Sequence, residues 1–493
     1  MTVIVVSNRV ARVSSGEPIM GGLASALLPA VKSFGAVWVG SSGKFQKPQD
    51  RGALASVEAL GRGALATVDL PQAHYANFYE GYSNSALWPA LHSRTDLLQC
   101  GKEHYASYRE VNRYMARALL RFEKPDSRFW VQDYHFLCLG EELRKLNIRQ
   151  PIGFFLHTPW PERATIAALP QHREIVAAML AYDLIGFQTQ EDCNHFIAYV
   201  EAEFELTCVD GVFDTKYGRC RIACFPIGID ADEFAAFARE ASGDTEVQRL
   251  TQSLRNRKLV IGVDRVDYSK GLINRFKTFD RMLSEYPKLK RGVQFLQIAV
   301  PSRSAIESYS ELQDKLAYQA GRINGRHGEV DWTPIRYLNR GFSQSTLAGF
   351  YRAATVGLVT PFHDGMNLVA KEYVAAQDPN NPGVLVLSEF AGAARELDTA
   401  VLVNPHDIDG MAQRLAAAIA MPLPERIERW SAMMKALRRS SIHVWFADFM
   451  EALTQTRRPS EVAEEAAQQD TEPVEQRGPA FLAQFRAWGA RRS

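Results

Sequence analysis

Cysteine is scarce in this chain, with six in 493 residues. Cys100, Cys138, Cys193 and Cys208 stand singly, while Cys220 and Cys224 share RCRIACF, which reads as a strand with both side chains on one face. No further ligands at zinc spacing accompany them. That sets aside a cysteine zinc site in favour of buried free thiols in a reducing cytoplasm. Long hydrophobic runs are also missing. The start, MTVIVVSNRV, has four consecutive apolar residues and no basic region before them, unlike a signal peptide or anchor. No run approaches a membrane span. Neither charge is in excess: 57 Lys and Arg face 56 Asp and Glu, a formal net charge of +1. No whole-molecule field therefore draws nucleic acid or an acidic membrane. The partners expected are small molecules, with a homo-oligomer left open. A GxGxxG motif is lacking after either of the strands that open the two repeating patterns described below, which argues against a nicotinamide dehydrogenase.

What is present is a strand–helix alternation, run through twice. Apolar runs at Val3–Val6, Ala36–Val39, Phe129–Val131, Ile152–Leu156 and Leu184–Phe187 alternate with amphipathic stretches such as Gly22–Phe34, Tyr108–Arg121 and Leu137–Leu146. FPIGID, Phe225–Asp230, closes this block, and a polar helical stretch, Glu246–Lys258, follows it. The pattern restarts with Leu259–Val263, Val293–Val300, Ile335–Leu338, Val356–Val359, Val384–Leu387 and Val401–Val403. Continuous apolar strands separated by helices predict parallel sheets covered on both faces. The expectation is an α/β chain of two doubly wound, Rossmann-like domains, 1–230 and 231–440, with ligands at the strand ends in the cleft between them. A terminal helix within 441–458 is expected to pack back on the first domain. Residues 459–477 hold six acids against one base and read as a solvated linker before a short basic tail ending at residue 493.

Charged residues gather at the strand ends. Arg9 follows the first strand, and Gly21-Gly22 opens the next helix, where backbone N–H groups could receive an anion; a flexible loop is the alternative. GVDRVDYSKG places Arg265 and Lys270 together after the first strand of the second pattern, which suits a diphosphate. A solvated loop paired with Asp264 and Asp267 is the plain alternative. PSRS delivers Arg303 to the same sheet end, and PFHDG delivers Asp364 and Gly365 ahead of a helix carrying Lys371 and Glu372. Cations together with an acid suit a ligand with phosphates and hydroxyls. In the first half, WVQDYHF and GFFLHTPWP place Asp133, His135 and His157 after adjacent strands, where they could also ligate a metal. The acids in DAD, 230–232, and DID, 407–409, read as helix caps.

Together SNR, GG, YSNSALWP, QDYHFL, GFFLHTPWP, GFQT, FPIGID, DRVDYSKG, AGRINGRHG and GLVTPFHDGMNLVAKEYVAAQ through NPGVLVLSEFAGAA resemble glycosyltransferase family 20, from Val3 to about Val444. The resemblance implies the GT-B fold and transfer of glucose from UDP-glucose to glucose 6-phosphate, with retention, without metal or cofactor. It implies catalytic roles for Arg265, Lys270, Asp364 and His157. The donor would meet Gly21, Gly22, Arg265, Lys270, Phe342 at the uracil, and the run Asp364, Gly365, Met366, Asn367, Leu368, Val369, Ala370, Lys371 and Glu372, the last at the ribose. The acceptor would meet Arg9, Tyr79, Trp88, Asp133 and Arg303. Two departures stand out. Gln132 replaces a frequent His, for which a local packing change is expected, and Trp160 is expected to narrow the acceptor mouth. The rivals are a relative using another acceptor, such as glycerol 3-phosphate, and a non-catalytic regulatory homologue. The latter should have lost one of Arg9, Arg265, Lys270 or Asp364, and all four are present.

Overall fold

The computed structural model describes residues 2–10, 27–28, 31–32, 34–46 and 54–456. Gly21, Gly22, most of the stretch 22–34, the acidic linker and the basic end lie outside them. Strands of the described residues form two sheets. The first contains β1 (Thr2–Arg9), β2 (Val37–Phe45), β3 (Leu54–Leu60), β4 (Gly63–Leu70), β5 (Ser127–Gln132), β6 (Ile152–Phe155), β7 (Leu184–Phe187), β8 (Val212–Thr215) and β9 (Gly218–Cys224). Its order is β3-β4-β2-β1-β5-β6-β7-β9-β8, parallel except for the hairpins β3–β4 and β8–β9 at its two edges. The second contains β10 (Lys258–Arg265), β11 (Val293–Val300), β12 (Ile335–Leu338), β13 (Val356–Val359), β14 (Val384–Ser388) and β15 (Val401–Val403). It is wholly parallel, in the order β12-β11-β10-β13-β14-β15.

The central strands are mostly apolar because both of their faces are covered. In the first sheet Ile4, Val6, Val37, Phe129 and Phe154 enter one cluster, while Val3, Val5, Trp38, Trp130 and Phe155 enter another. That is the period of two expected of a strand. The second of these clusters is shared by both sheets, since it also takes in Leu259, Ile261, Leu296, Leu385 and Leu387. The helix Ile442–Thr454 lies against the first sheet. Trp130 stacks on Phe449 at 4.8 Å, and a Cβ on Gly153 would come within 2.7 Å of the same ring. The chain therefore passes between the sheets twice, at 225–230 and again near Ser440. The two passages touch: a Cβ on Gly228 would lie 1.6 Å from the Ser440 carbonyl oxygen, so only glycine fits there.

Each sheet reverses its winding once. In the first, β2 and β5 flank β1; in the second, β11 and β13 flank β10. A crevice opens at the carboxyl ends of the strands at such a switch. Arg9 and Asp133 leave β1 and β5 there, and Arg265 and Asp364 leave β10 and β13.

Candidate active site

The segment after β10 is built by a buried arginine. Arg275, in the helix Leu272–Glu285, is inaccessible to solvent. It donates to Asp264 Oδ2 at 2.6 Å, Gln297 Oε1 at 3.0 Å, Thr360 Oγ1 at 3.2 Å and the Lys270 carbonyl at 3.3 Å. Gly262 leaves room for it, since a Cβ there would sit 2.7 Å from Nη1. Asp264 is thus committed to the scaffold and does not pair with Arg265. Gly271, at φ +66°, closes the turn against the Thr360 carbonyl, where a Cβ would lie at 2.4 Å. The effect is to hold Lys270 beside the end of β13.

There Lys270 Nζ meets Asp364 Oδ2 at 2.5 Å, and Asn367 Nδ2 donates to the same oxygen at 2.9 Å. Burial opposes charge on Asp364, but the adjacent Lys270 outweighs it and holds the carboxyl below its ordinary range. Asn367, at φ +78°, caps the helix Leu368–Ala376 by accepting from the Ala370 amide. Its first turn, with Leu368 and Val369 half-buried, aims N–H groups and the positive end of the dipole toward this point. Met366 and Ala370 are packed in the core and can reach a ligand through backbone only. Glu372, half-buried, has no ion-pair partner among the described residues, and burial pushes its carboxyl up to about 7.

The Lys371 side chain is committed to the scaffold. It is fully buried, with Nζ 2.7 Å from the Ile227 carbonyl and 2.6 Å from Glu396 Oε1. Lys371 thus serves the junction with the 225–230 passage. Phe342 lies apart, after β12, edge-on to Phe350 at 5.2 Å and beneath the Arg340 guanidinium at 4.7 Å.

Gly365 joins the halves, since a Cβ there would come within 2.1 Å of the His157 carbonyl oxygen. His157 follows β6, and burial lowers its imidazole to about 3, so it is neutral at ordinary pH. Its Nε2 lies 2.9 Å from Oε1 of fully buried Gln132. The His157 amide donates to Asp133 Oδ1 at 3.3 Å. Asp133 sits at φ +73°, a strained value for a non-glycine residue, and burial raises its carboxyl to about 6.

Beyond Lys270, residues of both halves interlock. Arg303, at φ +52°, donates from Nη1 to Asp267 Oδ2 at 3.0 Å and from Nη2 to the Tyr134 hydroxyl at 3.0 Å. Its guanidinium lies 4.0 Å from the Trp88 ring centroid, and that of Arg265 lies 5.6 Å away. Trp88 opens a one-turn helix, Trp88–Leu91, that continues the π-helical segment Asn77–Leu87, an arrangement frequent at functional sites. Tyr79 in that segment stacks on His135 at 5.8 Å, and Arg9 lies 5.9 Å from the Tyr79 centroid while donating to Tyr75 at 2.8 Å. His135 is therefore packed among aromatic rings. Trp160 is likewise buried, edge-on to Phe196 at 5.1 Å in the first half's core. It does not narrow the site, because its amide donates to Asp192 Oδ1 at 2.7 Å and turns the ring inward.

Sequence reasoning missed Asp267, Tyr134, Gln132 and Arg275. The acids Asp230 and Asp407 accept from Glu233 and Gly410 amides as caps. The contact sequence Arg303–Asp267–Lys270–Asp364–Gly365–His157–Asp133 thus crosses from one half to the other. It offers cations and helix amides for phosphates, acids for hydroxyls and aromatic faces for a sugar ring.

The chain as a whole is similar to known proteins. A trehalose-6-phosphate synthase of Sinorhizobium fredii is 44% identical over 92% of this chain and 98% of its own length. The crystal structure of a UDP-forming alpha,alpha-trehalose-phosphate synthase from Burkholderia vietnamiensis superposes with a TM-score of 0.89 at 45% identity, covering 92% of this chain and 97% of that one. A Burkholderia xenovorans counterpart in complex with glucose-6-phosphate has a TM-score of 0.89 at 44% identity, covering 92% of this chain and all of that one. These neighbours make the two-sheet architecture GT-B. The family model of glycosyltransferase family 20 matches residues 7–455, and the chain belongs to that family.

Proposed function

We propose that the chain transfers glucose from UDP-glucose to glucose 6-phosphate, giving α,α-trehalose 6-phosphate and UDP, with retention and without a metal. The observation that carries the reading is the run of contacts from Arg303 through Asp267 to the diphosphate-type cation turn at Lys270, and from there through the Asp364–Gly365–His157 junction to Asp133. Relatives named for this activity, one with glucose-6-phosphate bound, support it. In this reading residues up to about 230 hold most of the acceptor and residues from about 231 to 440 most of the donor, with His157 and Arg303 each reaching across to the other substrate. The balanced residue count of charges, the free thiols and the absence among the described residues of a helix long and apolar enough to cross a membrane fit a cytoplasmic enzyme of small substrates.

In the proposed step the C1–O bond to the diphosphate breaks and a bond from the acceptor hydroxyl oxygen to C1 forms on the same face. The hydroxyl proton passes to the departing phosphate oxygen. Arg265, Lys270 and the amides of Leu368 and Val369 stabilise the negative charge on the leaving UDP, in a site where such complementarity is usually the largest catalytic term. Asp364 and neutral His157 hold the transferred sugar, Phe342 the uracil and Glu372 the ribose. Trp88, Tyr79, Asp133, Arg9 and Arg303 hold the acceptor. The test is a panel of UDP-, ADP- and GDP-glucose against glucose 6-phosphate, glucose and glycerol 3-phosphate, reading nucleotide release and product mass. A disaccharide monophosphate formed only with glucose 6-phosphate is expected, with two α-anomeric proton couplings by NMR. Turnover with glycerol 3-phosphate alone would overturn the acceptor assignment.

A further inference from the structure

We infer that Asp267 is a positioning residue for the acceptor phosphate, acting through Arg303 and Trp88; the inference rests on the acceptor being a sugar phosphate. Asp267 is inaccessible to solvent, so its carboxylate cannot meet a ligand of any size directly. Its two oxygens are nevertheless fully engaged. Oδ1 accepts from the Ser269 amide at 3.0 Å, the Ser269 hydroxyl at 3.0 Å and Trp88 Nε1 at 3.4 Å. Oδ2 accepts from Arg303 Nη1 at 3.0 Å. One carboxylate therefore ties together the turn that carries Lys270, a tryptophan from the other half and the arginine after β11.

The geometry of Arg303 says what this is for. Its side chain is only 4% exposed. Nη1 is taken by Asp267 and by the Tyr309 hydroxyl at 2.7 Å, and Nη2 by Tyr134. Nε is buried with no acceptor. A buried donor without a partner is costly, and a charged one more so. A planar guanidinium clamped at one end and left with a free N–H is set to receive an anion, for which its fork is suited. The Trp88 face beneath it, 4.0 Å from the guanidinium carbon, blocks retreat on that side. The strained backbone of Arg303, at φ +52°, is held by the same anchors. Burial opposes charge on Asp267, but Arg303, Arg265 and Lys270 outweigh it and hold the carboxyl below its ordinary range, so the clamp stays ionised.

Asp267→Asn is the sharpest probe. It keeps an oxygen for Ser269 and Trp88 but can set an N–H₂ group against Arg303. The expected result is a KM for glucose 6-phosphate raised by at least about tenfold, with the dissociation constant of UDP-glucose within about threefold of wild type. An ion pair serving folding alone would shift both substrates together. The decisive measurement is a cycle with Arg303→Met, because residues acting through one another are not additive. In the Arg303→Met background, adding Asp267→Asn should change the acceptor KM by less than about twofold. The double variant also removes both buried charges at once, which is tolerated better than stranding one. If Asp267→Asn alone fails to fold, the comparison of Arg303→Met with the double still decides. A further tenfold rise in the double would overturn the inference, as would equal effects on donor and acceptor in the single variant. Wild type that releases no UDP with glucose 6-phosphate would remove the acceptor reading itself, a different failure seen before any variant is made.

Discussion

Lys270 Nζ and Asp364 Oδ2 stand 2.5 Å apart, with their side chains only 12% and 14% exposed. The cation expected to face the donor's phosphates and the acid expected to hold its sugar thus form one ion pair across the β10–β13 switch. Arg265, at the end of β10, is exposed instead and stacks only loosely on Trp88.

The two cations should therefore fail differently. Arg265→Ala should lower single-turnover UDP release by about 100-fold or more, with little change in melting temperature. Lys270→Ala should lose as much turnover and in addition about 3 kcal/mol of stability, because Asp364 is left buried and unpaired. Rapid-quench rates and melting curves on both variants check this. Turnover within about tenfold of wild type in either would remove the leaving-group role.

Glu372 sets a pH dependence. Its folded carboxyl sits at about 7 against an ordinary 4.5. The native state then binds more protons than the unfolded chain between those values, so stability from this group is full below pH 4.5 and is lost as pH rises to about 7. The loss has a ceiling of about 3 kcal/mol, reduced to about 1–2 by water at the half-exposed edge. Glu372→Gln should match wild type near pH 5 and melt higher at pH 8. If ribose hydroxyls donate to the ionised form, UDP-glucose should bind wild type more tightly as pH rises through 7, and the variant without that trend. Calorimetric titrations across this range would reveal a flat wild-type profile, the contrary result.

Lys371 and Glu396 should behave as a structural pair. Lys371→Met alone should cost about 3–5 kcal/mol, since Glu396 keeps a buried charge. Lys371→Met with Glu396→Leu should recover most of it. The KM for UDP-glucose in that double variant should stay near wild type, because the Lys371 side chain faces the Ile227 carbonyl rather than the cleft. A large donor KM change there would return Lys371 to the donor site.

Asp230 and Asp407 cap helices, and the reaction as proposed uses no metal. Turnover should be unchanged in excess EDTA. Asp407→Ala should lower stability by about 1 kcal/mol and leave turnover intact. Loss of activity in EDTA, restored by magnesium or manganese, would contradict the proposed step.

The central strands were legible because both faces of each are covered, which writes Val356–Val359 or Leu184–Phe187 as unbroken apolar runs. The edge hairpin β3–β4 was not. Gly63–Leu70, GALATVDL, mixes small, polar and apolar residues and takes its strand conformation from the hydrogen bonds of β2. Strand-end residues such as Arg265, Lys270 and Asp364 were legible from position alone. Asp267 was not, since its partners Trp88 and Arg303 are distant in sequence and nothing local distinguishes it from a solvated loop acid. Trp160 was misread for the same reason: the loop shows its size, and only the fold shows that Asp192 and Phe196 draw it inward.

The two passages of chain pressed together at Gly228 and Ser440 act as a pin. Two bodies joined by a single strand can slide, twist and swing freely. Joined by two strands in contact, they keep one easy rotation, about the line through the contact. Displacement under such a rotation grows with distance from the axis. Ile227, next to Gly228, meets Lys371 at the pin, where such a rotation displaces residues least. Any rotation that parts the halves must also break the contacts made away from the pin, Arg303 to Tyr134 among them.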